Sequence, residues 1–183
     1  METIELSGII ALVAIACLAS NFIVGFIIWR NISFKLPFNL TFLGLHKFTG
    51  YSTAIAVVIH VVLIPLDPKS KFSWLDLLLP LWTAHQPYAN TLGALALYLI
   101  AVVVVSSYYK EKLKLPMWRT LHYLSYVAAG PLIGHSIWTD PKLEDGPIDW
   151  FDAEKVFVLL CCAVIAALST YRFLVVKKRS ASN

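Results

Sequence analysis

Four histidines lie in two apolar stretches of the sequence. The stretches are LHKFTGYSTAIAVVIH, residues 45–60, and LHYLSYVAAGPLIGH, residues 121–135. The first carries His46 and His60, and the second carries His122 and His135. Ionisable residues inside long apolar segments are rare and usually mark a functional site. A single histidine in such a segment is more often a hydrogen-bonded packing residue, so the spacing of the four has to decide between the two interpretations.

The spacing of the histidines predicts two pairs at two depths. Fourteen residues separate His46 from His60, and thirteen separate His122 from His135. At 1.5 Å per helical residue these intervals correspond to about 21 and 20 Å. If the two helices run in the same direction, His46 lies level with His122, and His60 lies level with His135. Two imidazoles that face each other from neighbouring helices can fill both axial positions of a haem iron.

Other metal sites fit this pattern less well. Zinc and non-haem iron sites gather several ligands in one small volume and often include carboxylates or cysteines. Neither histidine segment contains an acidic residue, and the two predicted pairs are about 20 Å apart by the helical rise. The sequence therefore predicts two stacked haems, each with two histidine ligands, that form a path for electrons.

The composition predicts that the helices carrying these histidines lie in a membrane. The chain has 58% hydrophobic and 14% charged residues, whereas soluble domains have about 45–50% and 25%. A transmembrane helix needs about 20 mainly apolar residues. Five segments qualify: Leu6–Trp29, His46–Leu66, Leu92–Tyr109, Met117–Trp138 and Val156–Val176. We therefore expect an all-α integral membrane helix bundle of about five transmembrane helices, in a single domain over residues 1–183. All three cysteines fall in these apolar segments and are interpreted as packing residues.

Charge predicts the orientation of the bundle. Five consecutive spans place eleven of the fifteen Lys and Arg residues on one side, with the single acid Glu111, and the other ten acids on the opposite side. Basic residues concentrate on the cytoplasmic side of membrane proteins. The N-terminus is therefore predicted outside and the C-terminus in the cytoplasm, in the plasma (inner) membrane. The positive net charge reflects this topology, and no motif indicates a nucleic-acid partner.

The fourth predicted span contains a difficulty of phase. At about 100° per residue, fourteen residues return to within roughly 40° of the starting face, whereas thirteen miss it by about 140°. Proline can kink or rewind a helix. We expect Gly130, Pro131 and Gly134 to supply the correction, and the glycines to leave room for a flat porphyrin.

Motifs around the histidines resemble the ferric-reductase-like transmembrane domain. This domain is shared by ferric reductases, NADPH oxidases and the haem-binding membrane subunit of the bacterial periplasmic methionine sulfoxide reductase system. The resemblance extends from about Phe38 to Val176, and this sequence is most similar to the small stand-alone bacterial members. The residues that carry it are Leu45, His46, Gly50, His60, Asp67, Pro68, residues 72–76 (FSWLD), Trp118, Arg119, His122, Tyr126, His135, Thr139 and Asp140. The resemblance implies two b-type haems, bis-histidine ligation and outward electron transfer.

The sequence departs from the larger members of this family. Ferric reductases and NADPH oxidases continue into a cytoplasmic flavin and nicotinamide domain, whereas this sequence contains no GxGxxG motif. We therefore expect no bound FAD or NAD site. The expected electron donor is a separate flavoprotein reductase or membrane quinol, and the expected acceptor is extracytoplasmic.

Three further features have open interpretations. Arg119, three residues before His122, is either a partner of a haem propionate or an ordinary cytoplasmic anchor. His85 either binds an acceptor metal or substrate, or is solvated. The acidic stretch of residues 139–155 either attracts metal cations or reflects topology alone.

The sequence thus favours a di-haem b-type cytochrome that transfers electrons across the membrane. Its alternatives are the haem-binding subunit of a partner redox enzyme such as a methionine sulfoxide reductase, a non-enzymatic haem sensor or carrier, and a scaffold without cofactor. No residue is predicted to be catalytic, and whether the chain acts as an oxidoreductase by itself is left open.

Overall fold

A computed structural model describes residues 3–68, 70, 72–79, 85–139 and 150–181. These residues form helices joined by short segments, and no strand occurs among them, which confirms the all-α prediction. The helices are α1 (Thr3–Trp29), α2 (Phe42–Leu66), α3 (Trp74–Leu78), α4 (Pro87–Tyr108), α5 (Leu115–Trp138) and α6 (Ala153–Ala181), with short 3₁₀ turns at Pro37–Asn39 and Lys110–Lys112.

Four of the helices are long and apolar enough to cross a membrane. They are α1, α2, α4 and α6, the last over Ala153–Lys178. The protein is therefore a multi-pass membrane protein. Helix α5 has 24 residues and is long enough at 1.5 Å per residue for a hydrocarbon core of about 30 Å. It does not reach the same hydropathy, because histidines, serines and an arginine interrupt its apolar residues. The fifth span thus stays a prediction.

The bundle is built from two antiparallel helix hairpins. Helix α1 packs along α2, and α4 packs along α5, whereas the backbones of α2 and α5 approach each other at few points. The first hairpin brings Ser7 to His60 and Asn21 to His46. Helix α6 then packs against α1 and α5. The space between α2 and α5 is the region toward which all four membrane histidines are directed.

The apolar core lies where α1, α5 and α6 meet. Its buried members come from these three helices: Ile15, Ala19, Phe22, Ala129, Val158, Cys161, Cys162 and Ile165. Cys161 and Cys162 are free thiols within this core, so their interpretation as packing residues is confirmed. Many large apolar residues elsewhere are exposed, such as Leu160 and Phe173. That pattern is expected of helices whose outer surfaces face lipid tails.

The ends of α1 and α2 on one side of the bundle are joined by Asp67. This residue follows α2, and its Oδ2 accepts a hydrogen bond of 2.8 Å from the backbone N–H of Ile4, in the first turn of α1. A carboxylate near a helix N-terminus satisfies a free N–H and interacts favourably with the helix dipole. Asp67 is only 5% exposed. Asp67, one of the residues that carry the family resemblance, therefore has a structural role.

Helix α3 begins with a capping box. The Ser73 hydroxyl accepts a hydrogen bond from the backbone N–H of Asp76, and the Asp76 carboxylate accepts from both the hydroxyl and the backbone N–H of Ser73. These hydrogen bonds hold the pKa of the Asp76 carboxyl below its ordinary value, and the bond from the Ser73 hydroxyl has the largest effect. Of the segment over residues 72–90, positions 80–84 lie outside the described residues.

Lys155 ties α6 to the end of α5. Its ammonium group donates hydrogen bonds to the carbonyl oxygens of Ser136, Ile137 and Thr139 at 3.0, 3.0 and 2.7 Å. The last carbonyls of a helix have no partner within the helix, and a cation there also complements the dipole. The side chain is 6% exposed, so water cannot replace it easily.

Lys155→Met is expected to lower the free energy of unfolding by about 3 kcal/mol, because three carbonyls at the end of α5 lose a charged donor. Thermal unfolding in detergent, followed by circular dichroism, measures the effect. Lys114→Met is the matched control, since Lys114 is exposed at the other end of α5. Equal melting temperatures for the two variants would contradict this role of Lys155.

Candidate functional site

The structure brings the four membrane histidines together as two facing pairs. The inner pair is His46 and His122, whose ring centroids are 6.0 Å apart with an interplanar angle of 66°. The outer pair is His60 and His135, at 6.4 Å and 67°. In both pairs one ring comes from α2 and the other from α5. These are the partners that the sequence spacing predicts.

The separation within each pair suits two axial ligands of one metal ion. An imidazole nitrogen binds a metal at about 2 Å, and its ring centre lies roughly 1 Å behind it, so opposed ligand rings have centroids about 6 Å apart. The described residues contain no group of three or more His, Cys, Asp or Glu side chains that could hold a metal ion. Each pair by itself therefore offers two imidazole nitrogens.

Each Nδ1 atom of the inner pair contacts the other helix of its own hairpin. That helix is α1 for His46 and α4 for His122. The His46 Nδ1–H donates to the backbone carbonyl of Asn21 at 3.3 Å, and His122 Nδ1 lies 3.2 Å from the Ser107 hydroxyl. The Asn21 side chain also donates to the His46 carbonyl at 2.6 Å and to the Thr49 hydroxyl at 2.9 Å. These bonds fix the start of α2 against α1.

The outer pair is held in the same way. His60 Nδ1 lies 3.0 Å from the Ser7 carbonyl oxygen and 2.9 Å from its hydroxyl, and the His135 Nδ1–H donates to the Ala89 carbonyl at 2.8 Å. A carbonyl oxygen only accepts hydrogen bonds, so the Nδ1 atoms of His46, His60 and His135 must carry the proton. The Nε2 lone pairs are then available for a metal, the usual arrangement for histidine ligands.

Two glycines face histidine rings, and one of them, Gly93, makes room for its ring. A Cβ atom added at Gly93 on α4 would lie 2.8 Å from His135 Nδ1, and one at Gly25 on α1 would lie 3.4 Å from His46 Cε1. The first distance is shorter than a side chain tolerates. Nothing in the sequence singled out these glycines, although each lies on the helix that precedes a histidine helix.

Helix α5 is a single helix, and both of its histidines contact α4. Pro131 lies inside the helix, and the two contacts are made by His122 and His135. The expectation that both glycines leave room for a porphyrin is wrong for Gly134, whose Cβ would lie 2.8 Å from Leu92 Cδ1. Gly134 thus permits close packing of α4 on α5. A Cβ at Gly130 meets nothing within 4 Å.

A divided cavity surrounds the outer pair. One part, with about 90 Å³ of space, has mainly apolar walls that include Ala11, Val57 and Leu132. The adjoining part, about 130 Å³, extends toward the polar groups of Thr139 and Lys155. Both parts share His60 and His135 as walls.

Trp118 lies against the inner pair. Its ring stacks on that of His122, with centroids 5.2 Å apart and an interplanar angle of 25°. The Lys110 ammonium lies 4.4 Å from the Trp118 ring centroid. The buried Trp118 Nε1 atom has no hydrogen-bond partner in the part of the chain that the structure describes. Sequence reasoning assigned no chemistry to Trp118, although its i, i+4 relation to His122 would have indicated contact.

The two arginines near the inner pair differ in their contacts. Arg119 is exposed, and its pairing with a propionate stays a prediction. Arg172 of α6 is held instead: it donates to the Tyr126 hydroxyl at 2.7 Å, and its guanidinium carbon lies 5.3 Å from the rings of Trp29 and Tyr123.

The remaining candidate residues lie apart from the pairs. The half-buried His85 packs edge-on against Phe72, with ring centroids 6.2 Å apart, and its carbonyl accepts from the Asn90 side chain at 3.0 Å. It is therefore packed rather than simply solvated. Residues 140–149 of the acidic stretch lie outside the described residues.

Comparison with known proteins gives one match. The sequence model of a family described as "Ferric reductase like transmembrane component" matches residues 7–133. The matched range contains His46, His60 and His122, and it ends two residues before His135. No curated protein and no solved structure matches the chain.

Proposed function

Because the chain belongs to the ferric-reductase-like transmembrane family, which supports a redox role in the membrane, we propose that it is a di-haem b-type cytochrome. In this role it passes single electrons between two haems, one held by each histidine pair. The observation that carries the proposal is the repeated pairing of imidazoles from α2 and α5, at 6.0 and 6.4 Å between ring centroids.

The residues around both pairs fit a haem. The cavity at the outer pair has mainly apolar walls, and Gly93 removes the side chain that would displace His135. At the inner pair, the buried indole N–H of Trp118 lacks an acceptor among the described residues. Each of these features is accounted for by a flat, largely apolar cofactor that carries a few acidic groups at its edge.

The ligand set decides what kind of chemistry the site supports. A bound haem supplies one-electron exchange at its iron. If both histidines of a pair held a haem, they would leave no place at its iron for oxygen or another substrate. The Nδ1–H bonds to Asn21, Ser7 and Ala89 orient the rings and increase the basicity of the opposite nitrogens. The chain's residues thus favour electron transfer over catalysis at the metal.

We further propose that electrons move from the cytoplasmic side outward. The distribution of basic residues supports a bundle with the N-terminus outside, the C-terminus in the cytoplasm and the inner pair nearer the cytoplasm. Outward movement of an electron across a negative-inside plasma membrane is favourable by about 2.3 kcal/mol per 100 mV. The donor in this scheme is a separate flavoprotein reductase or membrane quinol, and the acceptor is extracytoplasmic.

Haem quantitation tests the proposal directly. The protein purified in detergent is expected to contain two haems per chain and to give a b-type reduced-minus-oxidised spectrum, with low-spin signals in electron paramagnetic resonance. A colourless preparation after growth with ample haem would overturn the proposal, and one haem per chain would remove one pair from it.

Turnover distinguishes the electron carrier from a haem sensor. Purified protein in vesicles is expected to be reduced by a quinol analogue or a flavoprotein reductase and reoxidised by an external ferric chelate. Exchangeable haem without steady turnover would instead indicate a sensor or haem carrier.

A further inference from the structure

We propose that Trp118 is a positioning residue that donates a hydrogen bond from its indole N–H to a carboxylate at the edge of the inner haem. The inference rests on the proposed function, since it requires a haem at the inner pair. It assigns to Trp118, with Lys110 beside it, the pairing with a propionate that was one of the two interpretations of Arg119.

The first observation is an N–H group without an acceptor. The Trp118 Nε1 atom is buried and has no hydrogen-bond partner among the described residues. Buried donors in folded proteins are nearly always satisfied by protein, water or a bound group. The indole nitrogen is only a donor, so the missing partner must be an acceptor.

The second observation is the position of this donor. The Trp118 and His122 rings are stacked at 5.2 Å with an angle of 25°, and the Ser107 hydroxyl lies 3.2 Å from Nδ1 of the same imidazole. A group ligated by His122 therefore lies within reach of Trp118. The acceptor and the metal-bound cofactor can be the same molecule.

The third observation is charge. The Lys110 ammonium lies 4.4 Å from the Trp118 ring centroid, and Lys112 follows in the same 3₁₀ turn. Cations next to a buried donor favour an anionic acceptor over a neutral one, since a charge-assisted hydrogen bond is the stronger. Haem b carries two carboxylates at one edge, so it supplies the acceptor. Arg119, by contrast, is exposed.

The test removes the donor and the carboxylates separately. Trp118→Phe keeps an aromatic ring beside His122 but has no N–H. Wild-type and variant protein, freed of haem, are each reconstituted with haem b and with its dimethyl ester, whose carboxylates are blocked. Transfer of haem to excess apomyoglobin then gives the dissociation rate of each haem.

With haem b, Trp118→Phe is expected to release one haem per chain roughly tenfold faster than the wild-type protein, as for loss of a charge-assisted hydrogen bond. With the dimethyl ester, the two proteins are expected to release haem at the same rate. The midpoint potential of the inner haem is expected to shift in Trp118→Phe with haem b only.

Three outcomes would overturn the inference. Equal acceleration with both porphyrins would mean that Trp118 acts through stacking alone, and no acceleration with either would mean that a water or lipid accepts the bond. Lys110→Met leaves the indole intact and is expected to speed haem release less than Trp118→Phe does. The third outcome is an unchanged dissociation rate in Lys110→Met. Failure of the wild-type protein to bind any haem would instead refute the proposed function.

Trp138→Phe is the matched control. Trp138 lies at the opposite end of α5 and is 58% exposed. The same substitution there is expected to leave the release of both haems unchanged.

Discussion

His135→Ala is expected to remove one of the two haems and leave the other bound. The outer pair consists of His135 on α5 and His60 on α2. The variant therefore keeps only the imidazole nitrogen of His60. A haem held by one histidine alone would be bound more weakly, and its iron would have an open coordination position. The inner pair lies about 20 Å away by the helical rise, so its ligands are not disturbed.

Haem quantitation and electron paramagnetic resonance measure this effect. His60→Ala is expected to give the same result, whereas His46→Ala and His122→Ala are expected to remove the other haem. In each case the haem content falls to half. His85→Ala is the internal control, because His85 packs on Phe72 outside both pairs. A full complement of haem in His135→Ala would contradict the assignment of the outer pair.

Gly93→Ala is expected to cost the outer haem although it changes no ligand. The added Cβ would lie 2.8 Å from Nδ1 and 2.9 Å from Cε1 of His135. The ring must therefore move and weaken its 2.8 Å hydrogen bond to the Ala89 carbonyl. Alanine is favoured over glycine in a helix by about 1 kcal/mol, so loss of haem cannot be attributed to a weaker α4.

The matched control for Gly93→Ala is Gly130→Ala. Gly130 lies within α5, the helix that carries His135, and an added Cβ there meets nothing within 4 Å. Gly130 is exposed and does not line the cavity at the outer pair, so the expectation that it leaves room for a porphyrin does not apply to that cavity. We expect Gly130→Ala to retain both haems and Gly93→Ala to retain one, with circular dichroism showing the same helix content in both. Normal haem content in Gly93→Ala would show that the His135 ring can move without losing its ligand position.

The sequence by itself determined the class of the protein and the pairing of the histidines. Hydropathy and helix length are local properties, so the apolar segments indicated the membrane helices directly. The rise per residue is nearly constant in a helix, which is why the spacing of His46 to His60 and of His122 to His135 was enough to predict which rings would meet.

The tertiary structure decided how these rings are held. The Nδ1 partners of three histidines are the backbone carbonyls of Ser7, Asn21 and Ala89. Every residue has a backbone carbonyl, so no pattern of side chains shows which carbonyls accept hydrogen bonds from the histidines. Which carbonyl faces which ring depends on how α1 packs against α2 and α4 against α5.

The same reason explains the differences at the ends of the bundle. A basic residue close in sequence to His122 suggested Arg119 as an anchor, yet the side chain that stacks on the ring is Trp118, one residue earlier. On α5, the thirteen residues between the histidines predicted a mismatch of phase that Gly130, Pro131 and Gly134 would correct, and α5 is a single helix with Pro131 inside it. Distance along a helix is set by local backbone geometry, whereas the direction in which a side chain finds its partner is set by the neighbouring helices.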